Sequence, residues 1–108
     1  MHREPRGPRG HKDLQVCRQV YDVLALALAE IDDPVIDDLI LARVMPAPNA
    51  GRVQVILVPG HAGIDEGEAL ARIAEHVDDL REEVAAEVNR RRAPELVFRI
   101  GTVADMPC

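Results

Sequence analysis

Serine is missing from the 108 residues altogether, and Thr102 is the lone threonine. A hydroxyl nucleophile in the folded body is thereby nearly excluded, and with it acyl-transfer chemistry of the serine type. Aromatics are almost as scarce. Tryptophan is absent, and Tyr21 and Phe98 stand alone, so bases cannot stack on a row of rings as they do on RRM or OB-fold surfaces. The two cysteines, Cys17 and Cys108, cannot make a disulfide framework or a four-ligand zinc site. Cys17 falls in a helical pattern and reads as a buried apolar residue. No run approaches the ~20 apolar residues of a membrane span, and residues 1–12 are polar rather than signal-like. A soluble, cytoplasmic, monomeric protein with no membrane partner is the expectation.

What is present sets the class. Hydrophobic residues make up 47% of the chain, enough for one core in a domain of this length without metal or disulfide. Thirteen Lys and Arg against 19 Asp and Glu leave a net charge of −6. The whole molecule therefore does not attract nucleic acid, and any RNA contact must come from a local patch.

The chain divides into three parts. Residues 1–12 hold Pro5, Gly7, Pro8 and Gly10 among Arg3, Arg6, Arg9 and Lys12, with no apolar periodicity. This predicts a flexible basic arm. Residues 13–100 form the domain. Leu14, Cys17, Tyr21, Leu24 and Leu28 recur at helical spacing after Asp13, a fitting N-cap, so residues 14–31 read as a helix. Its end, Val23 to Ala29, is apolar all round and is expected to be deeply buried. Asp32-Asp33-Pro34 stops it, because a residue before proline is pushed out of the helical region. Leu39–Met45 and Arg52–Val58 read as strands joined by the turn-rich stretch Pro46–Gly51, a hairpin. Pro59-Gly-His-Ala-Gly63 reads as a connector rather than a phosphate cradle. From Glu66 to about Arg91 the pattern is helical, with Leu70, Ile73, Val77, Leu80, Val84 and Val88 in one stripe. The other side is acidic: Glu75, Asp78, Asp79, Glu82, Glu83 and Glu87. Glu95–Ile100 is the last strand, with Leu96, Phe98 and Ile100 inward, and residues 101–108 read as a short tail. An α+β domain follows, a three-stranded sheet with helices on one face.

No catalytic constellation emerges. His2, His11, His61 and His76 have no Cys or carboxylate beside them at metal-ligand spacing. The expectation is no enzyme, no metal and no cofactor.

The succession Glu30-Ile-Asp-Asp-Pro34, a strand hairpin, Leu80-Arg81 in a long helix, then Ala93-Pro-Glu-Leu-Val-Phe98 resembles ribosome-binding factor A, across about residues 13–100. The resemblance implies a type II KH-like fold, α-β-β-α-α-β. It also implies a non-catalytic assembly factor that binds the free 30S subunit and 16S rRNA and assists late 16S rRNA maturation, with ribosomal proteins as further partners. In the family the two C-terminal helices meet at an Ala-x-Gly kink. The equivalent stretch here is His76-Val77-Asp78, with neither alanine nor glycine.

Two expectations about this helix compete. Residues 68–92 contain no Gly or Pro, which favours continuity. A helix of ~25 residues would, however, span ~37 Å, long for a three-stranded sheet. A break near residues 76–79 is therefore expected. For rRNA contact the expected residues are Arg90, Arg91 and Arg92, helped by Arg81 and the arm residues Arg3, Arg6, Arg9 and Lys12, since arginine donates bidentately to phosphate. The triplet also suits the negative end of the helix dipole. The alternative function is a small acidic adaptor whose helix face meets a basic partner.

Overall fold

The structure, a computed structural model, describes residues 6–47, 51–88 and 93–106, with 6–13 as backbone alone. Its centre is strand β2 (Arg52–Pro59), flanked by β1 (Leu39–Pro46) and β3 (Glu95–Ile100) in the order β1-β2-β3. The hairpin partner β1 runs antiparallel to β2 and β3 runs parallel to it. Val53, Val55, Ile56, Leu57 and Val58 are all buried, as befits a central strand covered on both faces. One face, carrying Val53, Val55 and Leu57, packs with Leu96 of β3 against the helices. The α+β class and the helix-covered sheet stand.

Helix α1 runs from Arg6 to Ala29, so most of the expected arm is helical and Asp13 lies inside the helix rather than capping it. Pro8 allows this because first-turn residues need no N–H donor. Residues 1–5 lie outside the described residues. The buried stripe of α1 is Cys17, Val20, Leu24 and Ala27, rotated from the expected one. Leu14 is 66% exposed and Leu26 is 72% exposed. The expected burial of the Val23–Ala29 stretch is thus wrong at Ala25, Leu26 and Ala29, because α1 packs on β1, α2 and α3 and no described element covers its outer side.

A short helix α2 (Pro34–Asp37) follows, which the sequence reading did not resolve. Asp33 caps it, its Oδ1 accepting from the Val35 N–H at 2.9 Å and the Ile36 N–H at 3.4 Å. Pro34 sits at the first helical position, where its missing donor costs nothing.

Helix α3 (Glu66–Glu87, 22 residues) begins at Asp65, whose side chain accepts from the Glu68 N–H at 2.9 Å. It passes through His76, Val77 and Asp78 without interruption, which overturns the expected break and merges the expected helix pair into one. Local propensity prevails: good helix formers and no Gly or Pro leave nothing to break the ladder. At about 33 Å the helix is not borne by the sheet alone, since it packs on α1 and α2 as well as β3. Ala69, Ile73, Leu80 and Val84 are its buried residues, and Val88 at its C-cap is buried as well.

The tail is structured too. Residues Val103–Asp105 form a 3-10 turn (η1), with a capping box between Thr102 and Asp105. It lies on the second sheet face, where Met106 packs against Ala42, Ile56 and Val58. Gly101 is required at this approach: a Cβ there would lie 2.7 Å from Ile56 Cγ2 and closer still to Asp105 Oδ2.

Candidate nucleic-acid interface

At one end of the molecule the β1–β2 turn, the C-terminal half of α3 and the start of β3 meet. The Glu95 N–H donates to Gly51 O at 3.1 Å, which fixes the strand start against the turn. Between these elements lies an open hollow of about 790 Å³, walled by Arg81, Asp78 and Glu82 on one side and by Gly51, Pro94 and Glu95 on the other. Arg52, half-exposed, reaches Glu95 Oε1 at 3.8 Å. Arg81 therefore stands in a mixed field, a cation among carboxylates, in an opening wide enough for a phosphate to enter.

On the second sheet face the register places Arg43 of β1 and Arg99 of β3 on either side of Ile56. Pairing on β1 jumps from Leu41 to Arg43, leaving Ala42 in a bulge. Both arginines meet Asp105. Arg43 donates through Nε to the Asp105 carbonyl at 3.1 Å, and an Arg99 terminal nitrogen lies 3.3 Å from Asp105 Oδ1. The Thr102 backbone N–H donates to Asp105 Oδ2 at 2.8 Å. That hydrogen bond, with Arg99 beside it, holds the Asp105 carboxyl below the usual aspartate range although partial burial opposes the shift.

The glycine-containing loop after β2 is occupied by its own side chain. His61 Nδ1 accepts from the Gly63 N–H at 3.1 Å, and Nε2 lies 3.1 Å from Asp38 Oδ2. Since Nδ1 accepts, Nε2 carries the proton and donates to the carboxylate. The Gly60 N–H is used by the Asp38 carbonyl at 2.7 Å, so this loop offers neither of these donors to a phosphate. Among the described residues no three His, Cys, Asp or Glu side chains stand together as metal ligands. No described helix is long and apolar enough to cross a membrane.

Of the expected contact residues, Arg81 is exposed on α3, and Arg6, Arg9 and Lys12 ride on the first turns of α1. Arg3, Arg90, Arg91 and Arg92 lie outside the described residues. The triplet belongs to the connection between Val88, which caps α3, and Ala93, and in sequence it borders the Arg81 hollow. The structure does not gather the arm and the Arg81 region into one described patch. It adds five arginines outside the expected set: Arg18 on α1, Arg72 on α3, and Arg43, Arg52 and Arg99 on the sheet. Arg99 was legible, since it alternates with the inward Phe98 and Ile100. Arg43 was not, because only the bulge turns it outward.

The same architecture occurs in the crystal structure of ribosome-binding factor A from Thermus thermophilus. The two superpose with a TM-score of 0.70 at 22% identity, covering 82% of this chain and 94% of that one. The fold is that of ribosome-binding factor A. A candidate ribosome binding factor A from Thermotoga maritima, solved by solution NMR, gives a TM-score of 0.62 at 13% identity over 91% of both chains. No protein-family model matches the sequence, and no curated protein matches it significantly. At this level of identity the likeness to ribosome-binding factor A lies in the architecture.

Proposed function

We propose that the protein is a ribosome-binding factor that binds the free 30S subunit and assists late maturation of 16S rRNA in the cytoplasm. The observation that carries this reading is the fold shared with ribosome-binding factor A over 94% of that chain. Its action is binding rather than catalysis, in keeping with a chain that lacks serine and has one threonine. Contact with rRNA runs through Arg90, Arg91 and Arg92, with Arg81 beside them and Arg3, Arg6, Arg9 and Lys12 approaching from the N-terminal end. The hollow at Arg81 supports this assignment, because it keeps an exposed cation at the end of the molecule where the triplet enters the chain. Ribosomal proteins are further contacts on the subunit, and the protein acts as a monomer.

The test has two arms. The purified protein should co-sediment with 30S subunits at low salt and be released at high salt, as phosphate contacts demand. Cells lacking it should accumulate 16S precursor. Absence of both effects would remove the reading. The carboxylates on α3 favour a second one, an adaptor for a basic protein. That adaptor would bind free basic ribosomal proteins and ignore protein-stripped rRNA.

A further inference from the structure

The outer side of the helical layer carries an apolar groove that the ribosomal reading does not use. It runs between α1 and α3 and encloses about 350 Å³. Val23, Leu26 and Ala27 supply its apolar lining. Leu26 is 72% exposed at the edge of this groove. Asp22 and Glu30 stand one turn before and one turn after Leu26 on the same stripe of α1, and Glu83 and Glu87 face them from α3. Among the described residues, none of these four carboxylates has an ion-pair partner.

We propose that this groove is a docking site for a basic peptide segment of another protein, rich in Lys or Arg and carrying an apolar side chain that covers Leu26. The charges choose the occupant. A phosphate backbone would meet carboxylates on both walls and be repelled. A second copy docked groove to groove would set like charges against like. A lysine-rich segment pairs with both walls while its apolar side chain removes Leu26 from water, and the net charge of −6 draws it in from a distance. The groove opens on a different face of α3 from the Arg81 hollow, Glu83 and Glu87 lining the one and Asp78, Arg81, Glu82 and Ala85 the other, so one protein can hold RNA and a basic protein segment at once.

The test uses the full chain and a fluorescein-labelled peptide that alternates lysine pairs with single leucines. Wild type should bind it in a salt-sensitive manner, with backbone amide shifts confined to the Val23–Glu30 turns and to the Glu83 region. Leu26→Ala should weaken binding about tenfold. Asp22→Asn combined with Glu83→Gln should weaken it about fivefold at low salt and reduce the salt dependence. A peptide with glycine in place of leucine should bind as weakly to wild type as the original does to Leu26→Ala. Circular dichroism and melting confirm that these surface variants are folded. Should Leu26→Ala lose stability, the wild-type shift map and the charge variant still decide. Absence of binding, shifts centred elsewhere, equal affinity for the leucine and glycine peptides, or displacement of the peptide by polyuridine RNA would each overturn the proposal.

Discussion

An Arg72 terminal nitrogen on α3 reaches Asp33 Oδ2 at 3.4 Å, while the other carboxylate oxygen caps α2. One buried side chain thus starts a helix and ties it to the next layer. Arg72 is held in turn by Glu68 one turn earlier, at 4.0 Å. Loss of a cap costs about 0.5–2 kcal/mol, and loss of a partly buried charged hydrogen bond adds about 1 kcal/mol or more. Asp33→Ala should therefore destabilise the fold by about 1–3 kcal/mol in urea unfolding. Asp33→Asn, which keeps an acceptor but loses the charge, should fall between. An alanine variant as stable as wild type would show that the junction contributes nothing.

The tail on the second sheet face should respond to acid through Asp105. Its carboxyl is held below the usual range, first by the Thr102 N–H and then by Arg99. A depressed folded value means that the ionised form is the one favoured by docking. Its contribution is complete above the unfolded aspartate value near pH ~4 and is lost as pH falls through the lowered folded value. The Thr102 amide resonance, followed during acidification, should stay native-like through the ordinary carboxylate range and move only below it. Asp105→Asn should abolish that transition. A midpoint at or above the ordinary aspartate value would contradict the geometry.

Continuity of α3 has a direct consequence at Asp78, a residue in mid-helix beside the Arg81 hollow. Glycine in a helix interior costs roughly 0.5–1 kcal/mol relative to alanine. Asp78→Gly should be less stable than Asp78→Ala by about that amount, and amide exchange from His76 to Leu80 should be slow and uniform in wild type. A neutral or stabilising glycine, with fast exchange at residues 76–79, would indicate a break after all.

The strands and both long helices were legible because their apolar periods, two and 3.6, are properties of the sequence. Val53, Val55 and Leu57 face the helices as their alternation requires, and Ile73, Leu80 and Val84 are buried on α3. What escaped depends on tertiary context. Leu26 reads as core, yet no described element covers it. Arg43 turns outward only through a bulge. Docking of Met106 on Ile56 and Val58 joins residues far apart in the chain and leaves no periodic trace. Helix α2, by contrast, was announced by Asp33-Pro34, a cap followed by a first-position proline that was read only as a stop. The expected helix break is absent for a different reason: the length argument takes the sheet as the only support for α3, whereas α1 and α2 carry it too, and no residue at 76–78 is suited to interrupt it.

The arginine triplet offers the sharpest functional test. In the sequence, Arg90, Arg91 and Arg92 come between α3 and β3. If they hold phosphates, each lost contact should flatten the plot of log affinity against log salt by ~0.7–0.9. Changing all three to Gln should weaken 30S binding and flatten that slope, with melting close to wild type. A triplet that only balances the helix dipole and nearby carboxylates would behave otherwise. Removing it would then cost stability, of order 0.3–1 kcal/mol per charge at low salt, and leave the salt dependence unchanged. Unchanged affinity and slope in a folded triple variant would move the phosphate contacts to Arg6, Arg9 and Lys12 on the first turns of α1. The same titration on their Gln variants would then show the loss.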